Sequence, residues 1–171
     1  LFPYTTLFRS GKPVDCGYVR TEGEVITEVG TMSSLDRRHK GEEVLDVDGA
    51  WVMPGLIEAH AHIGISEEKW GAIGDDCNEQ TSPVTPALRA IDAVNAMDPA
   101  FHDAIKAGIT SVMTGPGSAN VVGGQFVFMK TQGRCVDNMS LLDPAAMKAA
   151  LGENPKTVYG DQGKCPSTRM G

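Results

Sequence analysis

The stretch VMPGLIEAHAHIG, residues 52–64, decides how this chain is read. A Pro-Gly entry leads into a short apolar run that ends in polar residues, the pattern of a strand that finishes at a surface. Side chains two apart on a strand point the same way, so His60 and His62 present two imidazoles to one side while Ala61 faces the other. Imidazole nitrogen is a good ligand for zinc and similar divalent ions. Two such ligands alone make a weak site, because catalytic zinc takes about three protein ligands plus a water. The bare pattern fits equally a pair of hydrogen-bonded or exposed histidines. Glu58 shares their face one layer deeper, either orienting an imidazole or simply standing near a rim.

Downstream, residues 63–85 form a long loop rich in Gly, Asp, Glu and Ser. PALRAIDAVNAM, residues 86–97, is expected to be helical: Thr85 caps it, Pro86 suits its first turn, and Leu88, Ile91 and Val94 recur at helical spacing. Asp98-Pro99 starts a second helix through Phe101 and Ile105, stopped by Gly108. ITSVM, residues 109–113, is a β-branched run of strand length. Strand, loop, helices and strand make a βαβ unit, which implies a parallel sheet. The histidine pair then lies at the carboxyl end of a parallel strand, where α/β barrels keep their active sites. A glycine-rich loop follows, TGPGSANVVGGQ, residues 114–125. Its Ser118, Asn120 and Gln125 offer hydrogen bonds to a substrate; a loop shaped only for turning is the alternative. It lacks the Gly-Lys-Ser/Thr of a phosphate loop. FVFMK reads as a further strand, and Asp143-Pro144 as the start of a helix through Met147 and Leu151 that stops at Gly152.

Upstream, GYVRTEGEVITEVG reads as two strands broken at Glu22-Gly23, and EVLDVDGAWVM as a hairpin turning at Asp48-Gly49. SSLDRRHKGEE, residues 33–43, is a polar loop in which His39 is solvated. Residues 1–10, LFPYTTLFRS, resemble the translation of a short-read sequencing adapter and are excluded from fold reasoning. The composition, 41% hydrophobic and 22% charged, is that of a globular protein. A net charge of −7 argues against nucleic acid or an anionic membrane as partner, and no apolar run is long enough to span a membrane. Cys16, Cys77, Cys135 and Cys165 are scattered without a CxxC pair, which reads as reduced thiols and a cytoplasmic location. The acids Asp75, Asp76 and Glu79 line a site mouth or form a solvated rim. His102, in a helix, is read as structural or exposed.

VMPGLIEAHAH is similar to the first-strand signature of the amidohydrolase superfamily, a Pro-Gly-hydrophobic-Ile/Val-Asp/Glu-x-His-x-His run closing the first barrel strand. DCNEQTSPVTPALRAIDAVN, AGITSVMTGPGSANVVGGQ and MKAALGENPKTVYG resemble the imidazolonepropionase-related branch, and the resemblance covers residues 17–171. With residues 1–10 set aside as adapter-like, it implies an α/β fold in which residues 11–53 belong to a small β-sandwich and 54–171 are the first part of a (β/α)₈ barrel. It also implies that His60 and His62 hold one or two divalent ions, zinc above all, with Glu153 as the carboxylate and Lys130 as a second candidate, once carboxylated. The family's later histidines and its general-base aspartate have no match here and are expected beyond Gly171.

The implied function is metal-activated attack of water on a carbon–nitrogen bond outside ordinary peptides, in a small-molecule substrate, by an enzyme that can form a homo-oligomer. A complete barrel takes about 250 residues, and Pro54 to Gly171 supplies 118. A catalytically inert piece of such an enzyme is therefore the alternative expectation.

Overall fold

The computed structural model describes residues 5–9, 12–36 and 41–171. His39 lies outside the described residues. The chain divides into two compact units, Leu1–Pro54 and Gly55–Gly171.

The first unit is a three-stranded antiparallel sheet of β1 (Thr5–Arg9), β2 (Lys12–Glu22) and β3 (Val25–Thr31), with β2 in the middle. The expected break at Glu22-Gly23 is the β2–β3 turn, where Gly23 takes a positive φ of 59°. The adapter-like segment, set aside above, pairs with β2 as an edge strand. Tyr18 is buried and donates its hydroxyl proton to Glu28, which also pairs with Arg20. Asp48-Gly49 does form a turn: both residues have positive φ, and the Ala50 N–H reaches the Val47 carbonyl at 2.9 Å. The expected hairpin does not follow, because the described residues flanking that turn include no strand pair. Val44 and Leu45 stay exposed, with no apolar surface to reward pairing.

The second unit is a mixed sheet in the order β4-β5-β6-β7. β4 (Leu56–Ala61) runs parallel to β5 (Ile109–Thr114), and α1 (Pro99–Lys106) lies between them in sequence. The βαβ expectation holds here. Asp98 caps α1, Pro99 occupies its first turn, Phe101 is its buried residue, and Gly108 leaves it with φ 83°. β6 (Val122–Lys130) and β7 (Ser140–Ala149) are antiparallel to their neighbours, so the sheet is mixed where a parallel one was expected.

Two expected helices are absent, for one physical reason. Residues 86–97 hold only a 3₁₀ turn, Ala90–Asp92. Their backbone instead runs beside β6: Thr85 N–H bonds Val122 O at 2.8 Å, and Gln125 N–H bonds Leu88 O at 2.8 Å. Ile91 and Val94 still pack on the core, but Leu88 is exposed. Likewise Pro144 to Leu151 is not helical; its first part is β7, paired with β6 through Gln125↔Met147 and Phe126↔Ala146. β7 is an edge strand, where a residue without a backbone N–H is tolerated. The helix comes later, as α3 (Glu153–Gly160), with Gly152 as its N-cap and not as its stop. A short α2 (Val136–Met139) precedes β7.

The core of this unit gathers Ile65, Cys77, Phe101, Val112, Val127, Met129 and Met139 around the inner strands. β4 lies at the other edge of the sheet, with Leu56 50% and Ile57 63% exposed.

Candidate metal centre

β4 carries His60 to its penultimate position and leaves His62 one residue past its end. The two rings come together as strand alternation requires, with centroids 5.4 Å apart and planes at 81°. Parallel register sets Ala61 opposite Thr114, and the next peptide returns a bond, Gly115 N–H to Ala61 O at 3.2 Å. That register brings the Gly115 carbonyl to 2.7 Å from His62 Nδ1. A carbonyl oxygen only accepts, so Nδ1 carries a proton, and in the neutral ring this tautomer leaves the lone pair on Nε2. A backbone carbonyl holding the far ring nitrogen is the usual support of a metal-binding histidine.

His60 is oriented by different partners. Its backbone N–H bonds Glu58 Oε1 at 3.0 Å, so Glu58 braces the strand and not an imidazole. Its Nε2 lies 3.2 Å from Lys148 Nζ, an ammonium that donates to the ring's lone pair. Phe126 meets the ring edge-on, with centroids 5.6 Å apart. The Lys148 charge above all, then burial and His62, hold the His60 imidazole below its ordinary pKa, against a smaller upward pull from Glu58. His60 is thereby kept in the neutral form that a cation needs. Lys148→Met is expected to raise the His60 pKa, since a protonated ring no longer faces a second cation; NMR titration of the ring protons reads the direction. An unchanged or lowered value would contradict the assignment of Lys148 as the main cause.

Sequence reasoning missed Lys148 because its segment was read as a helix. As a strand, β7 sets Lys148 opposite Gly124, across the sheet from the histidines. Glu153 is exposed in the first turn of α3. Lys130 ends β6 opposite Ser111. Among the described residues no three of His, Cys, Asp and Glu gather closely enough to hold a metal ion. The two imidazoles thus have the chemistry of two ligands to a divalent cation, and the structure does not bring Glu153 to them.

The glycine-rich loop is tied down by its own polar groups. Asn120 is 2% exposed; its Nδ2 donates to Thr85 Oγ1 at 2.8 Å and its Oδ1 accepts from the buried Tyr159 hydroxyl at 2.5 Å. Ser118 Oγ accepts from Asn154 Nδ2 at 2.5 Å, and Gln125 Nε2 donates to Pro86 O at 3.1 Å. Removing the hydroxyl in Tyr159→Phe orphans a buried acceptor and is expected to cost about 1–3 kcal/mol of stability. Urea unfolding measures it; a loss near zero would show that Asn120 finds another donor.

Asp76 and Glu79 line a cavity of about 220 Å³ with Cys77 and Arg89, while Asp75 accepts from the Cys77 N–H at 3.4 Å. His102 is 69% exposed on α1, as expected. All four cysteines are free. No helix among the described residues is long and apolar enough to cross a membrane.

A parallel strand whose carboxyl end brings two oriented imidazoles together defines an α/β protein with a candidate site at that strand end. Comparison with known proteins narrows that class. No family model matches the chain. An amidohydrolase, tasK, of Hapsidospora irregularis is 32% identical over 166 residues, covering 87% of this chain and 17% of its own. A 5-methylthioadenosine/S-adenosylhomocysteine deaminase of Bacillus cereus (strain AH820) is 28% identical over 116 residues, 62% of this chain and 25% of its own. The crystal structure of an amidohydrolase from Thermotoga maritima MSB8 is 42% identical and superposes with a TM-score of 0.92, over 99% of this chain and 43% of that one. The chain belongs to the amidohydrolase superfamily. It spans less than half the length of each of these relatives.

Proposed function

We propose that these residues are the first part of a metal-dependent hydrolase that cleaves carbon–nitrogen bonds other than peptide bonds. In this reading residues 54–171 begin a (β/α)₈ barrel and residues 11–53 contribute to a small β-sandwich. The observation that carries the reading is the imidazole pair at the carboxyl end of β4, with His62 Nδ1 held by Gly115 O. The relatives support the reaction class: one is named an amidohydrolase and another a deaminase, and both names describe loss of nitrogen from carbon. The imidazolonepropionase-related branch remains the narrower proposal, carried by the three motifs quoted above.

His60 and His62 would hold a divalent ion, zinc by the chemistry of their nitrogens; Glu153, which this structure leaves apart from them, is the carboxylate proposed from the family resemblance. The ion supplies Lewis acidity toward the substrate and its attacking water. The chain's own residues do the rest. Gly115 O holds the His62 proton at Nδ1, and Lys148 keeps His60 neutral. Ser118 and Gln125 are the proposed hydrogen-bonding groups toward a small substrate. Asn120, saturated by Thr85 and Tyr159, would contribute by shaping the loop. The free cysteines support a reducing, cytoplasmic setting.

A second reading concerns the 171-residue chain by itself, which is proposed to be hydrolytically inert. Two observations favour it: no third ligand joins the histidines among the described residues, and the apolar side chains of β4 are exposed. The test is to equilibrate the purified chain with zinc and measure bound metal. Both the chain and the full-length gene product are then assayed on cyclic amides, N-acyl amines and aminopurines. Metal binding by both with turnover only by the full-length protein fits the two readings together. A full-length protein without metal or turnover sinks the first, and turnover by the chain alone sinks the second.

A further inference from the structure

We infer that Phe126 is the positioning residue for both imidazoles, through its ring against His60 and through Gly115 against His62. The inference rests on the reading of those histidines as ligands. Phe126 sits in β6, buried and in register with Ala146 of β7. Its ring makes three contacts around the histidine nitrogens. It meets His60 edge-on, with planes at 80°. It occupies the space that a Cβ on Gly115 would need, so ring and peptide lie in direct contact. Its face also lies under Lys148 Nζ, 5.9 Å from the ring centroid.

The consequence is geometric. His60 is exposed on an edge strand, and without a wall its ring is free to rotate and swap a nitrogen for a carbon. Phe126 supplies that wall from β6, two strands away, with the T-shaped geometry that aromatic rings prefer. The Gly115 peptide has no side chain, which lets the ring press against its backbone. That pressure holds the carbonyl 2.7 Å from His62 Nδ1. A shift of about 1 Å would break so directional a bond and release the tautomer. One buried ring therefore couples two ligands that touch no common backbone partner.

The test uses the whole 171-residue chain with ¹⁵N-labelled histidine. Long-range proton–nitrogen correlations, recorded without metal at a pH where both rings are neutral, report each tautomer. Cobalt(II) titration reports affinity separately. Wild type is expected to show His62 as the Nδ1–H form alone. Phe126→Met fills the space with a flexible chain and no ring. It is expected to give mixed His62 tautomers and an affinity for cobalt lower by about tenfold or more, the scale seen when support of a ligand is lost. Phe126→Tyr restores the ring and is expected to restore the tautomer. Val127→Ala loosens the other face of the same strand and is expected to change neither. A folded Phe126→Met chain with pure Nδ1–H His62 and wild-type cobalt affinity would overturn the inference. If that variant does not fold, the wild-type chain decides by nuclear Overhauser contacts between the Phe126 and His60 rings, whose absence overturns it and whose presence supports it. If the wild-type chain binds no cobalt, the tautomer comparison alone decides the role of Phe126, and the metal reading is decided on the full-length protein.

Discussion

His62→Ala is expected to lower the chain's affinity for zinc or cobalt(II) by about 100-fold or more. Loss of a residue that merely supports a ligand costs 10–100-fold, and loss of the ligand itself costs at least as much. His60→Ala is expected to act in the same direction. Its effect is smaller on the chain by itself, because Lys148 already competes for the same Nε2 lone pair at 3.2 Å. Among the described residues no hydrogen bond competes for His62 Nε2, while its Nδ1 is spent on Gly115 O. The double variant should show no binding above that of surface groups. His102→Ala serves as the control, since that ring stands exposed on α1. Equilibrium dialysis with metal analysis reads all four chains. Wild-type metal content in His62→Ala would end the case for the pair as ligands.

The pair itself was legible in the sequence because strand alternation is a local rule. Pro54-Gly55, the apolar run and the i, i+2 spacing are enough to place two imidazoles on one side. α1 was legible for the same reason: Asp98, Pro99 and Gly108 mark its ends without reference to the rest of the molecule. What was not legible depended on β6. Residues 86–97 carry a helical repeat of apolar side chains, and residues 145–151 are rich in alanine, methionine and leucine, all good helix formers. Both segments nevertheless give backbone bonds to β6, from Leu88 O on one side and through Ala146 on the other. Local propensity carries no record of a partner strand dozens of residues away. The same blindness hid Lys148 beside His60 and Gly115 O beside His62, since both contacts are long-range. Asn120 illustrates the converse. As an amide in a glycine-rich loop it looked available to a substrate, and its burial under Tyr159 shows only in three dimensions.

Asp98→Ala is expected to produce the largest loss of stability of any single polar substitution in the second unit, about 3–5 kcal/mol, because hydrogen bonds to a charged group are worth about 1.5–3 kcal/mol each and do not add fully. Asp98 is 2% exposed, and both its oxygens are engaged. Oδ1 accepts from the Ala100 N–H at 3.0 Å, capping α1, and from the Glu68 N–H at 3.3 Å. Oδ2 accepts from the Gly64 N–H at 3.0 Å. One carboxylate thus starts the helix and fastens the loop that leaves β4, two residues past His62. Gly64 itself sits at φ 78°, where a Cβ would come within 2.8 Å of the Phe101 ring, so that loop has no side-chain route to compensate. Alanine leaves three N–H groups without their acceptor. Serine restores a cap at Ala100 but does not reach Gly64, and should recover about 1 kcal/mol. Asparagine keeps one accepting oxygen and should fall between serine and wild type. Total stability of a domain is about 5–15 kcal/mol, so the alanine variant should melt far earlier and show fast amide exchange at residues 64–68 before exchange reaches β5. The Ile65 and Ser66 N–H groups both bond His62 O, at 3.1 and 2.9 Å. Loosening that turn should therefore also weaken cobalt binding by the chain. An Asp98→Ala protein within about 1 kcal/mol of wild type, the size of an ordinary cap loss alone, would mean that the loop after His62 is held by something other than this carboxylate.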